Sequence, residues 1–336
     1  MIEGHGDDIY RYGGRVRVNF STNIHQTVDH TGLMRHLAAC GDIFRNYPEP
    51  EPRSVETILA RRHEVPAENV IVTNGATEAI YLIAHCYRGA LSEIVVPTFR
   101  EYEDACRIFG HCVHGVADVS GIGDDADVVW LCNPNNPTGQ VCDREMLLGV
   151  IDTHADTLFV VDQAYADYSV KSVLTVDDVV SRRNVVMLHS LTKQFAVPGL
   201  RIGYAIASSE IIGRLRALRM PWSVNSVAIE AAKYLLAHCT DYHIDAAALH
   251  AEALRMSEAF AEMGMELMST DCNFFLAVLP DRNAAELKEW LVARHGLLVR
   301  DASNFAGLSP RHFRVAAQCV DENDRLIKAM KEWITL

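Results

Sequence analysis

The segment Ser190-Leu-Thr192-Lys193, followed by Pro198-Gly199 and then Arg201, surrounds a lysine with two hydroxyls and a guanidinium. Lysine is almost never fully buried without a task. Hydroxyls and an arginine around it make half of an anion site, and a lysine in such a cleft can lose its proton and add to a carbonyl. A second segment, Thr73-Asn-Gly-Ala-Thr-Glu-Ala79, reads as a glycine turn opening a helix. The free N–H groups of that first turn and a threonine hydroxyl suit a phosphate. No Gly-Lys-Ser/Thr follows, so it is not a P-loop. In Val160-Val-Asp162-Gln-Ala-Tyr165 a carboxylate ends an apolar strand, where it needs a cation or a proton donor. In Asn133-Pro-Asn-Asn136-Pro-Thr-Gly139 a turn dense in Asn and Pro holds a side-chain amide rigidly. Singly, these read as plainly as a capped helix start, an N-cap aspartate and an ordinary loop.

Together they describe the needs of one cofactor. Pyridoxal 5'-phosphate (PLP) requires a lysine for its aldehyde, a cradle for its phosphate, hydrogen bonds to its ring and an acid that keeps the ring nitrogen protonated.

These segments need a frame that brings them to one place. Seven short apolar runs predict strands at Asn69–Thr73, Glu93–Pro97, His111–Gly115, Asp127–Cys132, Leu158–Asp162, Asn184–His189 and Ile202–Ala207. Helical patterns lie between several of them, as at Thr77–Tyr87, Tyr102–Gly110 and Asp143–His154. This alternation predicts an α/β fold with a mostly parallel sheet between helices, which binds ligands at the carboxyl ends of its strands. From about Ser208 the pattern changes. Long amphipathic helices at Asn225–His238 and Asp241–Met263 precede strands at Asn273–Leu279, Leu297–Arg300 and His312–Ala317, helix Asn283–His295 and a last helix over Asp321–Trp333. The expected organisation is an arm, residues 1–30, docked on a smaller α+β domain at 221–336, with a large domain at 31–220 between them. Met256, Met263, Met265 and Met268 are expected to be packing residues.

A length of 336 residues suits two domains, and 49% apolar residues suffice for a sizeable core. The net charge of −13 without a basic block argues against nucleic acid and anionic membranes as partners. Nine cysteines without a Cys-x-x-Cys pair support neither a zinc ribbon nor a redox motif. With no signal-peptide pattern and no membrane-spanning run, the expectation is a reduced, soluble, cytoplasmic protein. His111 and His114 face opposite sides of a strand, so no metal site is expected. Ser190-x-x-Lys193 lacks the Lys-Thr-Gly of serine β-lactamases, and the glycines of Gly121-Ile-Gly-Asp-Asp-Ala126 precede a strand instead of following one, against a dinucleotide fold.

The ordered set GATEA, PTFREY, NPNNPTG, VVDQAY and SLTK…PGLR resembles the class I/II aminotransferases of PLP fold type I, in the branch of histidinol-phosphate aminotransferase and threonine-phosphate decarboxylase. The resemblance implies that Lys193 carries the cofactor as a Schiff base and then acts as general acid and base. It implies that Asp162 pairs with the ring nitrogen, that Asn136 and Tyr165 bond the ring oxygen, and that Tyr102 stacks on the ring. It places Ala76, Thr77, Ser190, Thr192 and Arg201 around the phosphate. Tyr47 matches a tyrosine sent to the partner subunit's cofactor phosphate, which implies a homodimer with shared sites. Arg300 and Arg314 match arginines for the substrate's anionic groups.

Gly4-His-Gly-Asp-Asp8, Asn19-Phe-Ser-Thr-Asn-Ile24 and Val299-Arg-Asp-Ala-Ser-Asn-Phe-Ala-Gly-Leu308 are similar to stretches of the decarboxylases, and place His5 and Asn23 near the substrate. Gly-Asp-Asp stands where a second glycine is usual, and Ile24-His25 lacks the usual Asn-Pro. The implied activity is decarboxylation of L-threonine O-3-phosphate. The alternative is transamination of histidinol phosphate with 2-oxoglutarate as acceptor. The same residues serve both.

Overall fold

A computed structural model describes residues 8–336. The strands are β1 (Val18–Asn19), β2 (Val70–Thr73), β3 (Leu91–Val95), β4 (Cys112–Val116), β5 (Val128–Cys132), β6 (Leu158–Asp162), β7 (Val185–His189), β8 (Gly203–Ala207), β9 (Glu266–Leu267), β10 (Phe274–Val278), β11 (Leu297–Leu298), β12 (Arg300–Asp301) and β13 (His312–Ala316). The α-helices are α1 (Thr31–Ala39), α2 (Arg53–Arg62), α3 (Gly75–Cys86), α4 (Glu101–Ile108), α5 (Arg144–Thr153), α6 (Val176–Val180), α7 (Leu191–Gln194), α8 (Ser209–Leu218), α9 (Ser226–Ala237), α10 (Ala246–Glu262), α11 (Ala284–His295) and α12 (Val320–Ile334).

The seven predicted strands form one sheet in the order β2-β8-β7-β6-β5-β3-β4. Only β8 runs antiparallel to its neighbours, β2 and β7. Every residue of β5 and β6 is buried, because helices cover both faces. Along β6, Phe159 and Val161 pack with α1, α2, α5 and α9, while Leu158 and Val160 pack with α3, α4 and α8. This is the period of two that a strand between two layers requires. Helix starts are set locally: Asp143, Ser208, Asn225, Asp245 and Asn283 each accept a hydrogen bond from a first-turn N–H.

A second sheet, β12-β13-β10-β9, is antiparallel and covered by α10, α11 and α12. Met256 and Met265 are buried in its core, and Met263 packs against it. The predicted strand at Leu297–Arg300 divides: β11 pairs in parallel with β1, and β12 pairs with β13. Helix α9, expected with this smaller part, instead buries Ala228, Ile229 and Leu235 in the core of the large sheet.

The N-terminal segment is tied to the smaller part by more than β1. Phe20 O accepts from the Ala316 N–H at 3.0 Å. Asp8 meets the buried Lys288 ammonium at 2.6 Å, and the Tyr12 hydroxyl donates to Glu289 at 2.7 Å. All nine cysteines are free thiols. Among the described residues no helix is long and apolar enough to cross a membrane.

Candidate active site

The carboxyl ends of β2, β5, β6 and β7 lie at one edge of the large sheet, beside the amino end of β8: Thr73 pairs with Gly203, Cys132 with Asp162, and His189 with Tyr204. Above that edge is a cavity of about 1190 Å3, counting the solvent in its mouth, and it reaches the second sheet. Lys193, Asp162, Tyr165, Asn136, Ala76, Thr77, Tyr102, Ser190, Thr192, Arg201, Arg300, Arg314 and Asn23 all line it. Residues far apart in sequence thus converge on one space.

One end is built to hold an anion. Gly75 starts α3 with φ +76°, a conformation that favours glycine. A Cβ there would stand 2.6 Å from Arg201 Nη2, so the turn and the guanidinium are in contact. Arg201 itself has φ +56°, a strained value for a residue with a side chain. Ser190 Oγ and Thr192 Oγ1 lie 2.7 Å apart at the start of α7. Two hydroxyls, a guanidinium and the open N–H groups of α3 meet the needs of a phosphate.

Asp162 occupies the middle, 4% exposed. Its Oδ1 accepts the Ala164 N–H at 2.9 Å and its Oδ2 the Tyr102 hydroxyl at 2.7 Å. Burial raises its pKa above the ordinary carboxylate range, and these two bonds and the Lys193 charge act in the opposite direction. The Lys193 Nζ stands 5.7 Å from the Tyr165 ring centroid. Burial raises the Tyr165 phenol, opposed by Arg314.

Arg314 is 4% exposed. It donates to Asn136 Oδ1 and to the Ser21 carbonyl, and its Nε has no partner among the described residues. Burial brings its pKa down to about 10. Arg300 is buried as well, and donates to Asn304 Oδ1 at 2.8 Å. The two arginines are direct cross-strand partners in β12 and β13. Like charges opposite one another destabilise a sheet, so the pair favours an anion placed between the two guanidinium groups. The Asn23 amide is buried beside the Tyr165 hydroxyl and opposes the rise in that phenol's pKa.

Tyr102 departs from its expected place. Its ring is 1% exposed and stacks on Trp130 at 5.8 Å, and its hydroxyl is committed to Asp162. Phe99, three residues earlier in PTFREY, is the half-buried aromatic that lines the cavity. Tyr47 lies outside the cavity, 86% exposed, with its ring 5.5 Å from that of Trp222. His5 lies outside the described residues. Asn304 and Phe305 also line the cavity. Sequence reasoning did not single them out, although both stand in the Arg300–Leu308 stretch it had quoted.

The sequence profile of the aminotransferase class I and II family matches residues 18–330. Over 95% of its length the chain superposes on the whole L-threonine-O-3-phosphate decarboxylase chain of Porphyromonas gingivalis, with a TM-score of 0.92 and 37% identity. It is 28% identical to the threonine-phosphate decarboxylase of Salmonella typhimurium, covering 95% of this chain and 91% of that one. It is 32% identical to a histidinol-phosphate aminotransferase of Desulfitobacterium hafniense, covering 90% and 87%. With a match that runs through nearly its whole length, the protein belongs to the aminotransferase class I and II family and is a PLP-dependent enzyme.

Proposed function

We propose that the protein is an L-threonine-O-3-phosphate decarboxylase. The observation that carries this reading is the pair Arg300 and Arg314, buried opposite one another above Lys193's cavity. Two such charges suit a substrate with two anionic groups. The similarity to two threonine-phosphate decarboxylases along nearly the whole chain supports it.

The donor set fits PLP. The α3 turn, Ser190, Thr192 and Arg201 suit the phosphate, and Asp162 suits the cationic ring nitrogen. Asn136 and Tyr165 suit the ring oxygen, and Phe99 suits the ring face. Bound there, PLP supplies an aldehyde for the substrate amine and an electron sink for the α-carbon bond that stands across its ring. Arg314, fixed by Asn136 and Ser21, holds the substrate carboxylate so that this bond is the one to CO2. Arg300 and the Asn23 amide hold the substrate phosphate. After CO2 leaves, Lys193 delivers a proton to the α-carbon, and Asp162 keeps the ring nitrogen charged throughout.

The chain works as a homodimer in this reading. Phe44, Tyr47, Met220 and Trp222 are exposed apolar side chains, with the Tyr47 and Trp222 rings side by side, as at a protein interface, and Tyr47 reaches the partner's phosphate site. The large domain extends through α9, with α10 opening the smaller one and residues 1–30 serving as its arm. Nine unpaired thiols support a cytoplasmic location.

The test is to supply threonine phosphate to the PLP-loaded protein and measure CO2. Release of CO2 with one equivalent of amine product is expected. Conversion of histidinol phosphate that depends on 2-oxoglutarate, without CO2 from threonine phosphate, would replace this reading by the aminotransferase.

A further inference from the structure

We infer that Tyr102 is a positioning residue that acts through Asp162, holding its carboxylate ionised and aimed at the cofactor's ring nitrogen. The inference rests on the PLP reading of the cavity and goes beyond it by giving Tyr102 a task other than contact with the ring.

The geometry leaves Tyr102 little else to do. Its ring is clamped between Trp130, stacked at 5.8 Å, and the edge of Phe99 at 84°. It stands in the first turn of α4, so its backbone is fixed as well. The hydroxyl has one proton to give, and it goes to Asp162 Oδ2 at 2.7 Å. The Ala164 N–H holds the other oxygen at 2.9 Å. One donor from each side fixes the plane of the carboxylate and leaves each oxygen one more acceptor direction. An unbraced aspartate can rotate about its last bond.

The second effect is on charge. Burial favours the protonated acid, and a protonated Asp162 cannot stabilise a charged ring nitrogen. The groups facing it are the Tyr102 hydroxyl, the Lys193 ammonium, the Cys132 thiol on the neighbouring strand and the Tyr165 phenol. Of these, Tyr102 is a neutral group that donates directly to the carboxylate, and burial holds its own phenol well above the ordinary value. It therefore stays a donor across the working range.

The experiment compares PLP-loaded wild type, Y102F, D162N and Y102F/D162N. Y102F keeps the packed ring and removes one oxygen. Loss of a hydrogen bond to a charged group corresponds to a factor of roughly 10 to 100. The expected result is a fall in kcat on the order of tenfold in Y102F, with the acid limb of the pH profile moved to higher pH and weaker PLP binding by the apoprotein. In the D162N background the same substitution changes each quantity less than about twofold, since the charge it serves is gone. Equal losses in both backgrounds, or an unmoved acid limb, would overturn the inference and leave the cofactor site standing. Failure of wild type to take up PLP would overturn the cofactor reading itself, and this inference with it.

Discussion

Arg300 and Arg314 are the two buried guanidinium groups that line the cavity as cross-strand partners. Each is desolvated, which lowers its pKa, and Arg300 further lowers that of Arg314. Arg314 donates to Asn136 and a main-chain carbonyl, and Arg300 donates to Asn304 and lies 5.4 Å over the Phe305 ring. Arg314, bonded to the Asn136 proposed to hold the cofactor ring, suits the group next to the reacting carbon, and Arg300 suits the distant phosphate. Arg300→Gln is therefore expected to raise KM for threonine phosphate roughly tenfold or more, the scale of a charge-assisted bond, with a smaller change in kcat. Steady-state kinetics on the two parameters checks the split, and a loss confined to kcat would reverse the assignment. Both arginines were legible as anion-binding residues, but their cross-strand pairing was not. It depends on the register of β12 with β13, and the local pattern gives no sign that Leu297–Arg300 breaks into two pairings.

At the scale of elements, the turn from β2 into α3 and the turn from β7 into α7 face each other as halves of the proposed phosphate cup. Gly203 in β8 permits their approach, since a Cβ there would lie 2.6 Å from the Ala76 nitrogen. Gly75→Ala would force a side chain into a left-handed turn and against Arg201, a strain of about 1–3 kcal/mol. Expected are a PLP dissociation constant raised about tenfold or more and an unchanged far-UV circular dichroism spectrum. Beneath the second turn, His189 ends β7 against Tyr204, with centroids 4.9 Å apart, and stands 6.1 Å from the His63 ring. Burial, with help from His63, lowers its pKa to about 3. The folded chain thus keeps His189 neutral, whereas the unfolded chain protonates it below about pH 6.5. Stability therefore falls as pH drops from there towards 3, by up to about 2 kcal/mol at about pH 5. His189→Phe should flatten this part of the curve of melting temperature against pH, and an unchanged slope would show that other groups set it. The seven strands of the large sheet were legible in the sequence because most are apolar runs, several of them closed by special residues, as in VVDQAY and HSLTK. Tyr102 was misplaced because helical spacing shows that it points inward but not that Trp130, on a strand beside it, takes its ring.

At the scale of the whole molecule, one protomer presents the proposed phosphate cup, Lys193 and the two proposed substrate arginines around one cavity, while its exposed Tyr47 stands outside it. Helix α9 packs on α1 and α2 within the large-sheet core, and the segment carrying Tyr47 lies beside its Ser226–Glu230 face. An exposed aromatic pair, Tyr47 with Trp222, is suited to docking against a second copy. In the homodimer proposed above, symmetry would make the exchange mutual, each protomer lending its tyrosine to the other's cup. This gives the last prediction its form. Lys193→Ala and Tyr47→Ala protein are each expected to be poorly active alone. In a mixed dimer, one of the two cups combines the Lys193 of the Tyr47→Ala subunit with the Tyr47 of the Lys193→Ala subunit, and so lacks nothing. Equal amounts of the two variants, unfolded and refolded together, should recover about a quarter of the wild-type activity, because half the dimers are mixed and each of those has one intact site. Tyr47 acting within its own chain would leave the mixture no more active than the average of its parts.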